Sequence, residues 1–112
     1  MRGRPKKYRI VRHNPKISQF SPRGRPGRPD EAVLGIDFFE AIHLADFMGL
    51  GQKRAAESMQ ISQQTFSRIL KKARRIIADA IVKGKIIKIQ GGAYVLTSRE
   101  NSELKSLKSS NL

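Results

Sequence analysis

The chain has 112 residues, enough for one domain with tails. Lys and Arg number 23 against 9 Asp and Glu, a formal net charge of +14. That balance points to a polyanionic partner, nucleic acid first and an anionic membrane surface second. Cysteine is absent, which excludes disulfides and thiolate metal sites, and no apolar run is long enough to span a membrane. The start shows no secretory signal pattern, so a cytoplasmic, nucleoid-associated protein is expected.

Residues 1–29 form a basic arm and loop with ten basic groups and no acidic one. The first seven are expected to be disordered in isolation. "YRIVRH" alternates as a short strand does, Asn14-Pro15 punctuates it, and "KISQF" reads as a second short strand. Residues 21–29 hold three prolines and two glycines and read as loop. Residues 30–50 reverse the charge, with five acidic groups and no basic one, and read as part of the scaffold.

A three-helix unit is expected over residues 30–84. In "IDFFEAIHLADFMGL", Asp37 reads as the N-cap and Glu40 as its capping-box partner. Phe38, Ala41, Ile42, Ala45 and Met48 recur at helical spacing, and Gly49 is the stop. "QKRAAESM" is a short second helix burying Ala55, Ala56 and Met59. Gln60-Ile61 makes a tight turn. Ser62 caps a long third helix whose apolar stripe is Phe66, Ile69, Leu70, Ala73, Ile76, Ile77, Ala80 and Ile81, and Gly84 ends it. "KIIKIQGGAYVL", residues 85–96, reads as a hairpin turning at Gly91-Gly92. Residues 97–112 read as a disordered polar tail. The fold expected is therefore mainly α, with a small β hairpin or sheet from residues 8–20 and 85–96. A core of about 60 residues is marginal alone. The missing burial comes either from the strands of residues 8–20 or from a second subunit in a homodimer.

Short helix, tight turn, longer helix is the helix-turn-helix pattern, in which the second helix enters the major groove by its N-terminal end. Projection at about 100° per residue puts Gln64, Arg68, Lys71 and Arg75 opposite the apolar stripe, with Ser67 and Lys72 beside them. Gln can bond adenine's edge in two places and Arg guanine's. Lys71, Lys72 and Arg75 lie further along and suit phosphates, as do Ser62 and the N–H groups after it. A solvated basic face on an ordinary core helix is the bland alternative.

The run "FFEAIHLADFMGLGQKRAAESMQISQQTFSRILKKARRIIADAIVKGKIIKIQGGAY" resembles a family of small, largely uncharacterised prokaryotic proteins described as predicted DNA-binding proteins. That family's helical region is similar to the promoter-reading C-terminal domain of sigma factors. The resemblance covers most of residues 4–95, and "AAESMQISQQTFSRIL" is its most specific block. It implies a DNA-binding fold in which Gln63, Gln64, Thr65, Ser67 and Arg68 are the base readers. Three departures from the family pattern stand out: Gln60 stands where glycine is usual, Gly51 where a polar cap is usual, and Lys53 and Arg54 where acidic residues are usual. The last departure adds phosphate contacts at Lys53 and Arg54. "RGRP" occurs twice, and Arg2-Gly3-Arg4-Pro5 with Lys6 and Lys7 resembles the AT-hook, a peptide that threads the narrow minor groove of A·T-rich DNA. The second copy, Arg23 to Pro26, reads as a basic loop.

His13 and His43 are the only histidines, and no metal site is read from them. Asp37, Glu40 and Asp46 read as capping and solubility residues. No nucleophile–base pair and no phosphate-binding Gly loop is visible, so neither an enzyme nor a cofactor is expected. The expectation is a sequence-specific transcriptional regulator binding double-stranded DNA. Its rivals are a non-specific nucleoid-type binder and a module docking on RNA polymerase through the acidic first helix.

Overall fold

The structure, a computed structural model, describes residues 8–24 and 27–97. The arm Arg2–Lys7, with its Gly3, Arg4, Pro5 and Lys6, lies outside the described residues, as do Arg25, Pro26 and the tail from residue 98. In chain order the elements are β1 (Arg9–Val11), β2 (Gln19–Phe20), β3 (Glu31–Leu34), α1 (Ile36–Ile42), a π-helical turn (His43–Phe47), α2 (Gln52–Met59), α3 (Gln63–Lys83), β4 (Ile86–Ile89) and β5 (Tyr94–Leu96). Among the described residues, three α-helices and two small sheets make up the fold.

The centre is α3, against which both α1 and α2 pack. Its N-terminus is fixed by Ser62, whose Oγ accepts the Thr65 amide at 3.0 Å, and its C-terminus by Gly84 at φ 67°. Phe66, Ile69 and Leu70 sink into one cluster with Ala41, Leu44, Ala55, Ala56 and Met59. The two alanines keep α2 close, and Phe66, completely buried, fills the angle between α2 and α3. Its removal would cost about 3–5 kcal/mol. A second cluster joins Ala73 to Leu34 and Ile89, with Ile76 and Ile77 beside them. The expected stripe fails only at its end. There the covered strip narrows to Ala80, and Ile81, about 100° further round the helix, is 71% exposed.

Between α2 and α3, Gln60 adopts the left-handed conformation, φ 55° and ψ 45°, with no glycine to ease it. The strain is of the order of 1 kcal/mol. It is held by the Ile61 amide donating to the Ala56 carbonyl at 3.1 Å. Gly49, at φ 77°, ends the first helical segment as expected.

Two expectations are corrected. Residues 85–96 are not a hairpin: β4 lies between β2 (antiparallel) and β3 (parallel), while β5 pairs in parallel with β1, Arg9 opposite Tyr94 and Val11 opposite Leu96. Gly91 and Gly92 instead wrap the start of α1. The Ile36 amide donates to the Gly91 carbonyl at 2.8 Å, and a Cβ on Gly92 would lie 2.4 Å from Asp37 Oδ1. Burial thus comes from the strands of residues 8–20 within one chain, joined by a strand, β3, that was not anticipated.

The second correction concerns α1. Gly35, not Asp37, is its N-cap, and Asp37 and Glu40 are buried, 2% and 0% exposed. The inner stripe is Asp37, Glu40, Ala41 and Leu44, so Met48 turns outward. Asp37 accepts from the Arg9 guanidinium at 2.9 Å. Glu40 accepts the Arg12 and His13 amides at 3.2 and 3.3 Å, and His13 Nδ1 lies 3.0 Å from its Oε2. These carboxylates are internal anchors for β1 and the residues after it, not solubility groups.

Candidate nucleic-acid interface

With one side of α3 committed to the core, the other is left to solvent. Gln63, Gln64, Ser67, Arg68, Lys71, Lys72 and Arg75 are all exposed. Thr65 is half-buried, and its hydroxyl accepts from Ser62 Oγ at 2.9 Å, so it serves the helix start before any ligand. Lys53 and Arg54 are exposed on α2. The base and phosphate candidates of α3 therefore share one side of that helix, Thr65 being the least available of them, while Arg54 borders a separate groove with Arg12, Leu50, Glu57 and Ser58.

Pairing distinguishes neighbouring cations. Arg74 donates to Asp46 at 2.7 and 3.1 Å, and these bonds hold the Asp46 carboxyl below the usual carboxylate range. Lys83 and Lys85 are held by Asp79, and Lys88 by Glu31. Arg68, Lys71, Lys72 and Arg75 make no ion pair among the described residues. Four unpaired cations on one side of one helix repel each other, and a bound polyanion would relieve that repulsion.

Two grooves border this surface. One, of about 310 Å³, lies at the start of α3 between Arg9, Ile61, Ser62, Thr65 and Arg68. Arg9 was not singled out from sequence, where it is one basic residue in a strand. Its neighbourhood depends on Asp37, which lies far along the chain. The other groove, of about 540 Å³, is lined by Arg68, Lys71, Lys72 and Arg75 over Phe38 and Ile76. On the far side of α1, the His13 and His43 rings stack at 3.9 Å. Burial and the charge of His13 push the His43 pKa down, against the opposing pull of Glu40. No group of three or more metal-ligating side chains occurs among the described residues.

Residues 1–97 match the family described as protein of unknown function DUF134. The chain belongs to that family. Members similar to it carry the name UPF0251 protein. One from Prosthecochloris aestuarii is 48% identical over 83% of this chain. One from Thermoanaerobacter pseudethanolicus is 46% identical over 81% of this chain and 78% of its own length. One from Caldicellulosiruptor saccharolyticus is 50% identical over 82% of this chain and 65% of its own length. The chain spans 61% of the Prosthecochloris protein. No solved structure matches it. Among the described residues, no helix is long and apolar enough to cross a membrane.

Proposed function

We propose that this DUF134 protein binds double-stranded DNA sequence-specifically and acts as a transcriptional regulator in the nucleoid. The observation that carries the reading is the unpaired ridge of Arg68, Lys71, Lys72 and Arg75, with Gln63 and Gln64 ahead of it, on a helix joined by a tight turn to the shorter α2. In this reading α2 and α3 are a sigma-like helix-turn-helix. The first turns of α3 enter the major groove, where Gln64 and Arg68 read base edges and Gln63 and Ser67 assist. Ser62, Lys71, Lys72 and Arg75 hold phosphates, with Lys53 and Arg54 contributing from α2. Arg2–Lys7 add affinity from the minor groove or the backbone.

A homodimer would set the half-site spacing, and Ile81 and Val82, 71% and 82% exposed at the end of α3, offer it an apolar contact. Docking on RNA polymerase through the acidic first helix is the weaker reading. Asp37 and Glu40 are buried and Asp46 is bound to Arg74, so that helix has little free negative charge.

Selection of duplexes from a random pool by the purified protein tests the proposal. A consensus should emerge and outcompete random DNA, whereas equal competition would leave a non-specific nucleoid-type binder. With about six phosphates neutralised, log K should fall with log[salt] at a slope near −5. On the selected site Arg68→Ala should cost about 1–3 kcal/mol and relax one base position, while Arg75→Ala weakens every sequence alike. Identical behaviour of the two variants would refute the division between base reading and phosphate holding.

A further inference from the structure

The larger groove beside α3 has a feature that phosphate contact does not require: an apolar floor. Phe38 reaches it from α1 and Ile76 from α3, and both are half-buried and pack on the core behind them. Arg68, Lys71, Lys72 and Arg75 stand around that floor, and among the described residues no carboxylate lines the groove. The acidic residues of the neighbouring helix are used elsewhere, Asp37 on Arg9, Glu40 on His13 and Asp46 on Arg74. About 540 Å³ of space lies within the range of small-molecule sites. An inorganic anion would meet the cations and leave the floor wet, and a neutral hydrocarbon would desolvate the cations without answering them.

We infer that the Phe38–Ile76 groove is a binding site for a small organic anion with a compact apolar body, such as an aromatic carboxylate, and that its occupancy opposes DNA binding. The apolar body covers the two side chains. The anionic group takes up the cations that DNA phosphates would otherwise engage, so the two ligands compete for the same charges. The site stands on the geometry alone, and only the antagonism rests on the DNA-binding reading.

Titration of the full ¹⁵N-labelled chain with 2-naphthoate tests the site. Amide shifts should saturate and centre on Phe38 and on residues 68–76. Acetate at matched ionic strength and the neutral 2-naphthalenemethanol should each bind at least about tenfold more weakly. The doubly substituted Lys72→Gln, Arg75→Gln chain, whose changes are confined to exposed positions, should keep its melting temperature and lose about tenfold in naphthoate affinity. Dispersed, non-saturating shifts, or acetate matching naphthoate, would overturn the site.

In a second arm, the Kd for labelled duplex DNA should rise at least about fivefold at saturating naphthoate over the acetate control. An unchanged Kd overturns the antagonism while the site stands. Failure of the naphthoate-free protein to bind any duplex overturns the antagonism together with the functional proposal, and the titration then decides the site by itself.

Discussion

Two regions of this molecule carry charge and use it in opposite ways. Where β1 and the residues after it meet α1, the buried carboxylates of Asp37 and Glu40 are met by half-buried partners, the Arg9 guanidinium on Asp37 and the His13 ring with two amides on Glu40. Along the outer side of α3, Arg68, Lys71, Lys72 and Arg75 share one sign and face water. The first arrangement holds only as a complete set, because a buried charge stripped of its partner is strongly destabilising. The second gains nothing from the fold and is relieved from outside. The excess of positive charge is therefore two properties: part of the basic inventory is structural glue, and part is unspent.

The sharpest way to break this contrast is to remove one member from each side. Glu40→Ala leaves the half-buried His13 ring and two amide N–H groups without their acceptor, and the unfolding free energy from urea melts should fall by about 1–3 kcal/mol. Arg75→Ala should change it by less than about 0.5 kcal/mol, and equal losses would erase the distinction. Next in size, Gly92→Ala drives a methyl group into the Asp37 carboxylate at a φ of 102° and should cost about 2 kcal/mol, measured the same way.

Adjacent arginines sharpen the comparison further. Arg75→Ala should reduce the salt slope of DNA binding by about 1. Arg74→Ala breaks only the exposed pair with Asp46 and should leave that slope unchanged, at a stability loss below about 1 kcal/mol. The smallest expected effect is in pH. The His43 pKa is lowered in the folded state by burial and by His13, so folding favours the neutral ring. That contribution is complete above the ordinary histidine pKa of about 6.5 and is lost as pH falls through the lower folded value. Melting temperature should decline below pH 6.5, and His43→Asn should flatten the decline. A steeper decline in the variant would show that another group governs it.

The segment from Gln52 to Gly84 was legible because its signals are local. Ser62 and Gly84 act within a turn of their own position, the spacing of Ala55, Ala56, Met59 and Phe66 is read within their own helices, and each takes the place expected of it. Asp37 and Glu40 read as surface groups because their partners lie 27–28 residues upstream, and nothing near them announces Arg9 or His13. Asp37 and Glu40 counted as polar, and that rotated the apparent inner stripe of the first helix toward Met48. The strand Glu31–Leu34 is four residues long and gave too little alternation to notice. Gly91-Gly92 suggested a hairpin by local turn chemistry, but the packing of Asp37 decides what that turn does. The outer side of α3 followed from helical periodicity alone, whereas Arg9 and the Phe38 floor needed the tertiary fold.

The parallel pairing of β1 with β5 joins nearly the first and the last of the described residues. A nascent chain emerging from the ribosome can fold α2 and α3 early, but Arg9–Val11 must wait for Tyr94–Leu96 to be synthesised before that strand has its partner. Closure of so long a loop carries an entropic cost, which disfavours early formation of this two-stranded sheet. A chain truncated before Tyr94 would keep its helices while leaving β1 an open edge, prone to pair with another molecule.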